Sequence, residues 1–141
     1  MIASTSIAES DYRALAEFRY HIRRFLHFSE QAARAAKLEP QQHQLLLALR
    51  GLGSQALIGT LAERLQIQHH SAVELVDRLA AHGLVSRART PDDRRQVLVS
   101  LTARGRAALE KLAQAHLEEL RRNGPTLVQA LEALLRSVHV S

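Results

Sequence analysis

Cysteine is missing from all 141 residues. Disulfides, thiolate metal sites and cysteine-based peroxide sensing are therefore excluded. Tryptophan is missing too, and aromatic residues make up only 4% of the chain, while Leu and Ala recur throughout. That mix favours helices over sheets. Lysine is confined to Lys37 and Lys111, so arginine carries nearly all the positive charge. There is no run of 18 apolar residues, and no membrane span is expected. The opening MIASTSIAESDY has neither a basic region nor an apolar stretch, so it does not read as a signal peptide. The expectation is a cytoplasmic protein with no membrane association. No Gly-rich phosphate loop, nucleophile elbow or paired catalytic carboxylates stand out, and the chain does not read as an enzyme. No cofactor is called for.

The length suits one compact domain, and a hydrophobic content of 46% is far from that of a disordered polar chain. The formal net charge is +5. Most of it falls on one short stretch from Leu84 to Arg106, where Arg87, Arg89, Arg94, Arg95, Arg104 and Arg106 are opposed only by Asp92 and Asp93. Arginine presents a planar fork that suits phosphates and base edges. The other reading of this stretch is a solvated arginine surface.

Residues Glu9 to Lys37 read as one long helix, with Leu15, Phe18, Ile22, Phe25, Ser29, Ala32 and Ala36 forming a seam spaced by threes and fours. Ser10 or Asp11 is placed to cap its start. Pro40 disfavours helical geometry at Glu39 and suits the first turn of a second helix, which runs through Leu45, Leu46, Leu47 and Leu49 to Gly51-Leu-Gly53-Ser54. A short helix is expected over Ile58 to Leu65, a turn at Gln66-Ile67-Gln68, and another helix over His69 to Ala81, closed by Gly83. The period then changes. Residues 84–89 and 96–101 read as two strands, joined by a polar loop over residues 90–95. Thr102 caps a long helix that Asn123-Gly124-Pro125 is expected to stop. A last helix then carries the stripe Leu131, Leu134, Leu135 and Val138.

Short helix, turn, helix and basic hairpin form one unit from about Ile58 to Leu101. The second helix of such a pair fits the major groove of B-DNA and offers its N-terminal side chains to base edges. Here Gln68, His69, His70 and Ser71 lead it, and all four can hydrogen bond. Two ordinary amphipathic helices with polar ends would show the same pattern. The hairpin adds to the first reading, because a loop bearing Arg94 and Arg95 can enter a narrow minor groove. A neighbouring aspartate can orient a guanidinium through a paired hydrogen bond, or can simply form a surface salt bridge of little worth.

The run from Leu75 to Leu109, LVDRLAAHGLVSRARTPDDRRQVLVSLTARGRAAL, resembles the MarR (multiple antibiotic resistance regulator) family. It carries L-V-D-R-L on the recognition helix, G-L-V at the first wing strand, P-x-D-R-R at the wing tip and V-x-L-T-x-x-G into the next helix. LAERLQI, Leu61 to Ile67, resembles the first helix of that family's motif. The resemblance implies a mainly α fold with a small β-hairpin wing: a winged helix-turn-helix flanked by long dimerisation helices. It implies one domain over 1–141, with the winged helix-turn-helix at about 40–101 and dimerisation helices at 9–37 and 102–139. It implies a homodimer on a pseudo-palindromic double-stranded operator, with the recognition helix in the major groove and the wing in the minor groove. Asp93 and Arg95 match the wing's acidic-x-arginine signature, and Arg89 and Arg94 belong to the same basic surface. Release by a small aromatic or anionic effector is also implied.

Two positions depart from the family pattern. Glu74 stands where relatives frequently carry a basic residue, and Gln68 where they often carry a short capping residue. Glu74 can accept from a cytosine amino group or pair with Arg78 one turn on. His21, Arg24, Phe25 and Phe28 fall on one helical stripe and, with His43, can line an apolar pocket with a cationic wall for an effector, or can pack against a partner subunit. A metal-responsive regulator is a further alternative, but His21, His27, His43 and His116 lack the i, i+4 spacing that would pair them on one helix. A winged-helix module that binds protein and not DNA is another. The apolar stripe from Leu131 to Val138 is more than one short helix can bury alone, so the chain should dimerise. Light scattering at micromolar concentration should give twice the mass of one chain, and the mass of a single chain would refute it.

Overall fold

The computed structural model describes residues 6–93 and 95–139, with side chains as far as residue 136. Eight elements follow one another: α1 (Glu9–Ala35), α2 (Pro40–Gly51), β1 (Gln55–Leu57), α3 (Ile58–Leu65), α4 (His69–Ala81), β2 (Val85–Arg89), β3 (Val97–Leu101) and α5 (Ala103–His139). They fall into two units. Residues 32–114 form one, and the distal parts of α1 and α5 form the other.

The first unit owes its core to leucine and valine at helical spacing. Leu45, Leu46 and Leu49 of α2, Leu61 of α3, Val76 and Leu79 of α4 and Val99 of β3 are all fully buried. Leu109 and Leu112 of α5 and Ala33 at the end of α1 join the same cluster. Pro40 opens α2, and Glu39 before it is extended, at φ −70° and ψ 148°, as the proline ring requires. The Glu39 N–H donates to Gln42 Oε1 at 2.9 Å, satisfying one group at the helix start. The end of α1 comes two residues earlier than its sequence suggests: Lys37 adopts φ 64°, and the Leu38 N–H donates back to the Ala33 carbonyl. At the other end of α1 the caps differ from expectation. Asp11 lies inside the first turn and accepts from the Ala8 N–H, while Ser10 does not cap.

The wing is a three-stranded antiparallel sheet in the order β1-β3-β2, where two strands were expected. β1 sets Gln55, Ala56 and Leu57 opposite Ser100, Val99 and Leu98, and β2 sets Val85 through Arg89 opposite Leu101 through Val97. Three residues are too few to show the alternation that marks a strand in sequence.

The base of the wing is locked to α5. Gly83, at φ 73°, turns the chain out of α4. Thr102 Oγ1 donates to the Gly83 carbonyl at 2.7 Å and accepts from the Gly105 N–H at 3.0 Å, while the Thr102 N–H donates to the Leu84 carbonyl. Gly105 is buried because the helix backbone runs against that same carbonyl.

In the second unit, the rings of α1 residues Phe25 and Phe28 stand nearly perpendicular to that of His116 of α5, whose Nε2 is hydrogen-bonded to the buried Ser29 Oγ at 2.8 Å. The expected break at Asn123-Gly124-Pro125 does not occur: α5 is continuous through Pro125. Proline removes the donor to only one carbonyl, that of Arg121, and its ring φ is itself helical. The Thr126 hydroxyl donates to the Asn123 carbonyl, and Asn123 Nδ2 donates to Glu119 Oε1 at 2.6 Å. Val138 of the C-terminal stripe lies outside the residues whose side chains are described.

Alanine normally stabilises a helix by about 1 kcal/mol over glycine. At Gly105 the sign should reverse. A Cβ there would overlap the Leu84 carbonyl oxygen and stand 2.9 Å from Leu101 Cδ1. Gly105→Ala should therefore destabilise the fold by about 1–3 kcal/mol, as overpacking does. A thermal melt checks it, and an unchanged or raised Tm would show that the joint is loose.

Candidate nucleic-acid interface

Helix α4 divides cleanly into two faces. Ala72, Leu75, Val76 and Leu79 are buried, which turns His70, Glu74, Asp77 and Ala81 outward. The helix starts after the left-handed Gln66 (φ 56°), which reverses the chain out of α3. Gln68 occupies the N-cap position in an extended conformation but forms no side-chain cap hydrogen bond, so its amide is not engaged by the helix. His69, His70, Glu74 and Arg78 are exposed, and Ser71 is half-buried. Ser71 and Arg78 lie to one side of the outward face, and His69, Val73 and Asp77 to the other.

That second side faces the wing across an open cleft of about 670 Å³. Its apolar floor includes Leu57, Ile58, Val73 and Val97, and Arg87, Arg89 and Arg95 line it on the wing side. Asp77 of α4 forms an ion pair with Arg87 of β2, joining helix to wing directly. Both groups are about half exposed, so the pair contributes little to global stability. Its effect is local: it neutralises Arg87 and leaves Arg89 and Arg95 as the wing's other cleft-lining arginines. Sequence reasoning counted Arg87 as charge and Asp77 as part of a motif, and no spacing rule links a helix residue to a strand residue ten positions on.

The wing tip is organised by two short side chains. Thr90 Oγ1 donates to the Asp93 carbonyl at 2.6 Å and accepts from the Asp93 N–H at 3.2 Å. Asp93 Oδ1 accepts from the Arg95 N–H at 2.9 Å and lies 3.6 Å from Arg95 Nε. Asp93 thus holds both the backbone and the guanidinium of Arg95, whose side chain is 94% exposed. Arg94 lies outside the described residues. Glu74 and Arg78 are not joined by an ion pair, although they are one turn apart.

Of the five residues expected to line an effector pocket, three share one cavity. His21, Arg24 and Phe25 border a cavity of about 20 Å³ with Glu119, Leu120 and Asn123, a volume that holds no aromatic carboxylate as it stands. Phe28 packs against His116 instead. His43 is 2% exposed within the core of the first unit, with Nδ1 3.4 Å from Gln44 Nε2. Among the described residues no three His, Asp or Glu side chains converge as metal ligands, and no helix is long and apolar enough to cross a membrane.

A helix-turn-helix followed by an arginine-lined hairpin now stands beside a direct sequence match. Residues 36–96 match the MarR family model. The match lies within the winged-helix unit, whose fold is of the MarR type. No curated protein matches the chain significantly in sequence. Among solved structures, the chain resembles AbsC, a MarR family transcriptional regulator from Streptomyces coelicolor, at 19% identity over 96% of this chain and 94% of that one, with a TM-score of 0.77. At that identity the likeness speaks for the fold alone. BpsR of Bordetella bronchiseptica, whose DNA binding is regulated by 6-hydroxynicotinic acid, is 27% identical over 85% of this chain and 93% of its own, with a TM-score of 0.67. A mutant MarR from E. coli, solved in complex with operator DNA, is 25% identical over 86% and 89%, also with a TM-score of 0.67. The MarR-type winged helix is thus present with its mostly helical surroundings and small sheet.

Removing the Thr90 hydroxyl tests the organisation of the wing tip. Thr90→Val should loosen residues 90–96 locally, at a cost of about 0.5–1.5 kcal/mol for each hydrogen bond lost. Amide exchange at Asp93 and Arg95 should accelerate while the melting temperature barely moves. Unaltered exchange would mean that the turn is held by its backbone alone.

Proposed function

We propose that this chain is a cytoplasmic, sequence-specific DNA-binding transcriptional regulator, not a catalyst, that acts as a homodimer on a pseudo-palindromic operator. In this reading it is a repressor released by a small aromatic or anionic effector. The observation that carries the proposal is the outward face of α4 standing beside the arginine-lined wing in a winged-helix unit of the MarR type. Gln68, His69, His70, Ser71, Glu74 and Arg78 would enter the major groove. Arg89, Arg94 and Arg95 would approach the minor groove, with Asp93 aiming Arg95. The operator complex of the E. coli relative and the ligand-regulated DNA binding of the Bordetella relative support this reading.

The segments 9–37 and 102–139 would form the dimer. Leu15, Leu117, Val128, Leu131 and Leu135 are exposed along the two helices of the distal unit, far more apolar surface than a lone helical pair leaves in water without cause. A two-fold axis would set two recognition helices about 34–36 Å apart, one turn of DNA. The cavity at His21, Arg24 and Phe25 is the proposed effector site. It would have to open to admit a ring, and such an opening is how an effector would bias one arrangement of the protein over another.

The wing provides the test. Arg95→Ala should weaken operator binding by about 1–3 kcal/mol per contact and leave the dimer intact. Asp93→Ala removes a negative charge, so charge counting alone predicts tighter binding. The held geometry of Arg95 predicts weaker binding. Mobility-shift titrations of both variants decide between them, and a tighter Asp93 variant would leave only electrostatics. Failure of the wild-type chain to retain any genomic fragment would sink the DNA-binding reading itself.

A further inference from the structure

Helix α4 turns two carboxylates outward, and the structure treats them differently. Asp77 is neutralised by Arg87 of β2. Glu74 is in none of the ion pairs formed among the described residues, although Arg78 lies one turn on. It is exposed, and it sits almost opposite the buried stripe of Ala72, Leu75, Val76 and Leu79, one turn after His70. An unpaired carboxylate is therefore carried on the outermost line of the helix proposed to enter the groove.

We infer that Glu74 is a base-reading residue that accepts a hydrogen bond from the amino group of a cytosine in the major groove. The inference rests on the DNA-binding reading of α4. Phosphate cannot be the partner of Glu74, because DNA is a polyanion and repels it. The groove offers only two kinds of base donor, cytosine N4 and adenine N6. Adenine places the N7 acceptor beside its amino group, against the second carboxylate oxygen. Cytosine presents its donor alone. Guanine and thymine present acceptors at their major-groove edge and would face the carboxylate with like polarity. Glu74 thus selects as much by rejecting wrong bases as by binding the right one. Its place in the first half of α4 agrees with the role, since residues toward the N-terminus of a recognition helix reach base edges. Asp77 is one turn beyond Val73 on the wing side and is already held by Arg87, so it does not compete for the base.

The test is parallel selection from a random duplex library by the full-length wild type, Glu74→Ala and Glu74→Gln. Thermal melts should coincide, since the side chain is exposed. The wild type should enrich a motif with a C·G pair at one fixed position in each half-site, preferred about tenfold over other pairs, the scale of a single mismatched pair. Glu74→Ala should enrich the same flanking bases with that position open. Glu74→Gln should move the preference toward adenine, whose N6 and N7 suit an amide. The same motif from all three proteins would overturn the inference and leave the DNA-binding reading standing. A wild type that enriches no motif would overturn both.

Discussion

The wing and the helix beneath it depend on one close approach, that of the α5 backbone to the Leu84 carbonyl. This single oxygen accepts the Thr102 N–H and leaves no room for a side chain at Gly105. The Thr102 hydroxyl meanwhile ties the Gly83 carbonyl to the first turn of α5. The end of α4, the root of β2, the end of β3 and the start of α5 meet here within a few residues. The tilt of α4 relative to the sheet is fixed at this joint, because the chain leaves α4 through Gly83 and enters β2 at once. A change of spacing here would move the outward face of α4 and the wing arginines together.

The joint also explains why parts of the architecture were readable beforehand. The T-x-x-G signature at Thr102 and Gly105 encodes two physical demands, a hydroxyl at a helix start and an absent Cβ against a carbonyl, and short motifs with such demands tolerate little variation. The two outer wing strands were legible because Val85 and Val97–Leu101 change the apolar period. The faces of α3 and α4 were legible because leucine and valine recur at helical spacing. Strand β1 was not legible: Gln55-Ala-Leu57 is too short for periodicity, and only its pairing with Ser100, Val99 and Leu98 makes it a strand. Pro125 misled in the other direction. A Gly-Pro pair ordinarily ends a helix, but here flanking side-chain hydrogen bonds and a helical proline φ carry the chain through.

The candidate site was legible as a list and not as an arrangement. Charge density drew attention to the arginines, yet their division of labour depends on contacts between elements. Arg87 is held by Asp77, and Arg95 is held by Asp93 within a turn that Thr90 organises. His43 shows the converse failure. Helical phase put it on a plausible pocket-facing line, but the same phase suits a core position, and burial at 2% decides which. Sequence spacing describes one helix at a time, whereas a site is a relation among several.

The third strand has a mechanical consequence. β1 pairs only with residues 98–100 of β3, and the Ser54 carbonyl accepts from the Leu101 N–H just behind it. The hairpin is therefore three strands thick at its root and two strands thick over its free length, where Arg89 faces Val97. It is a cantilever, clamped at one end and slender at the other. Bending concentrates where the thickness changes, at the Leu57–Leu98 pair, while the root keeps its register. Leu57 runs directly into α3, so a load on the tip is delivered to the first turn of that helix.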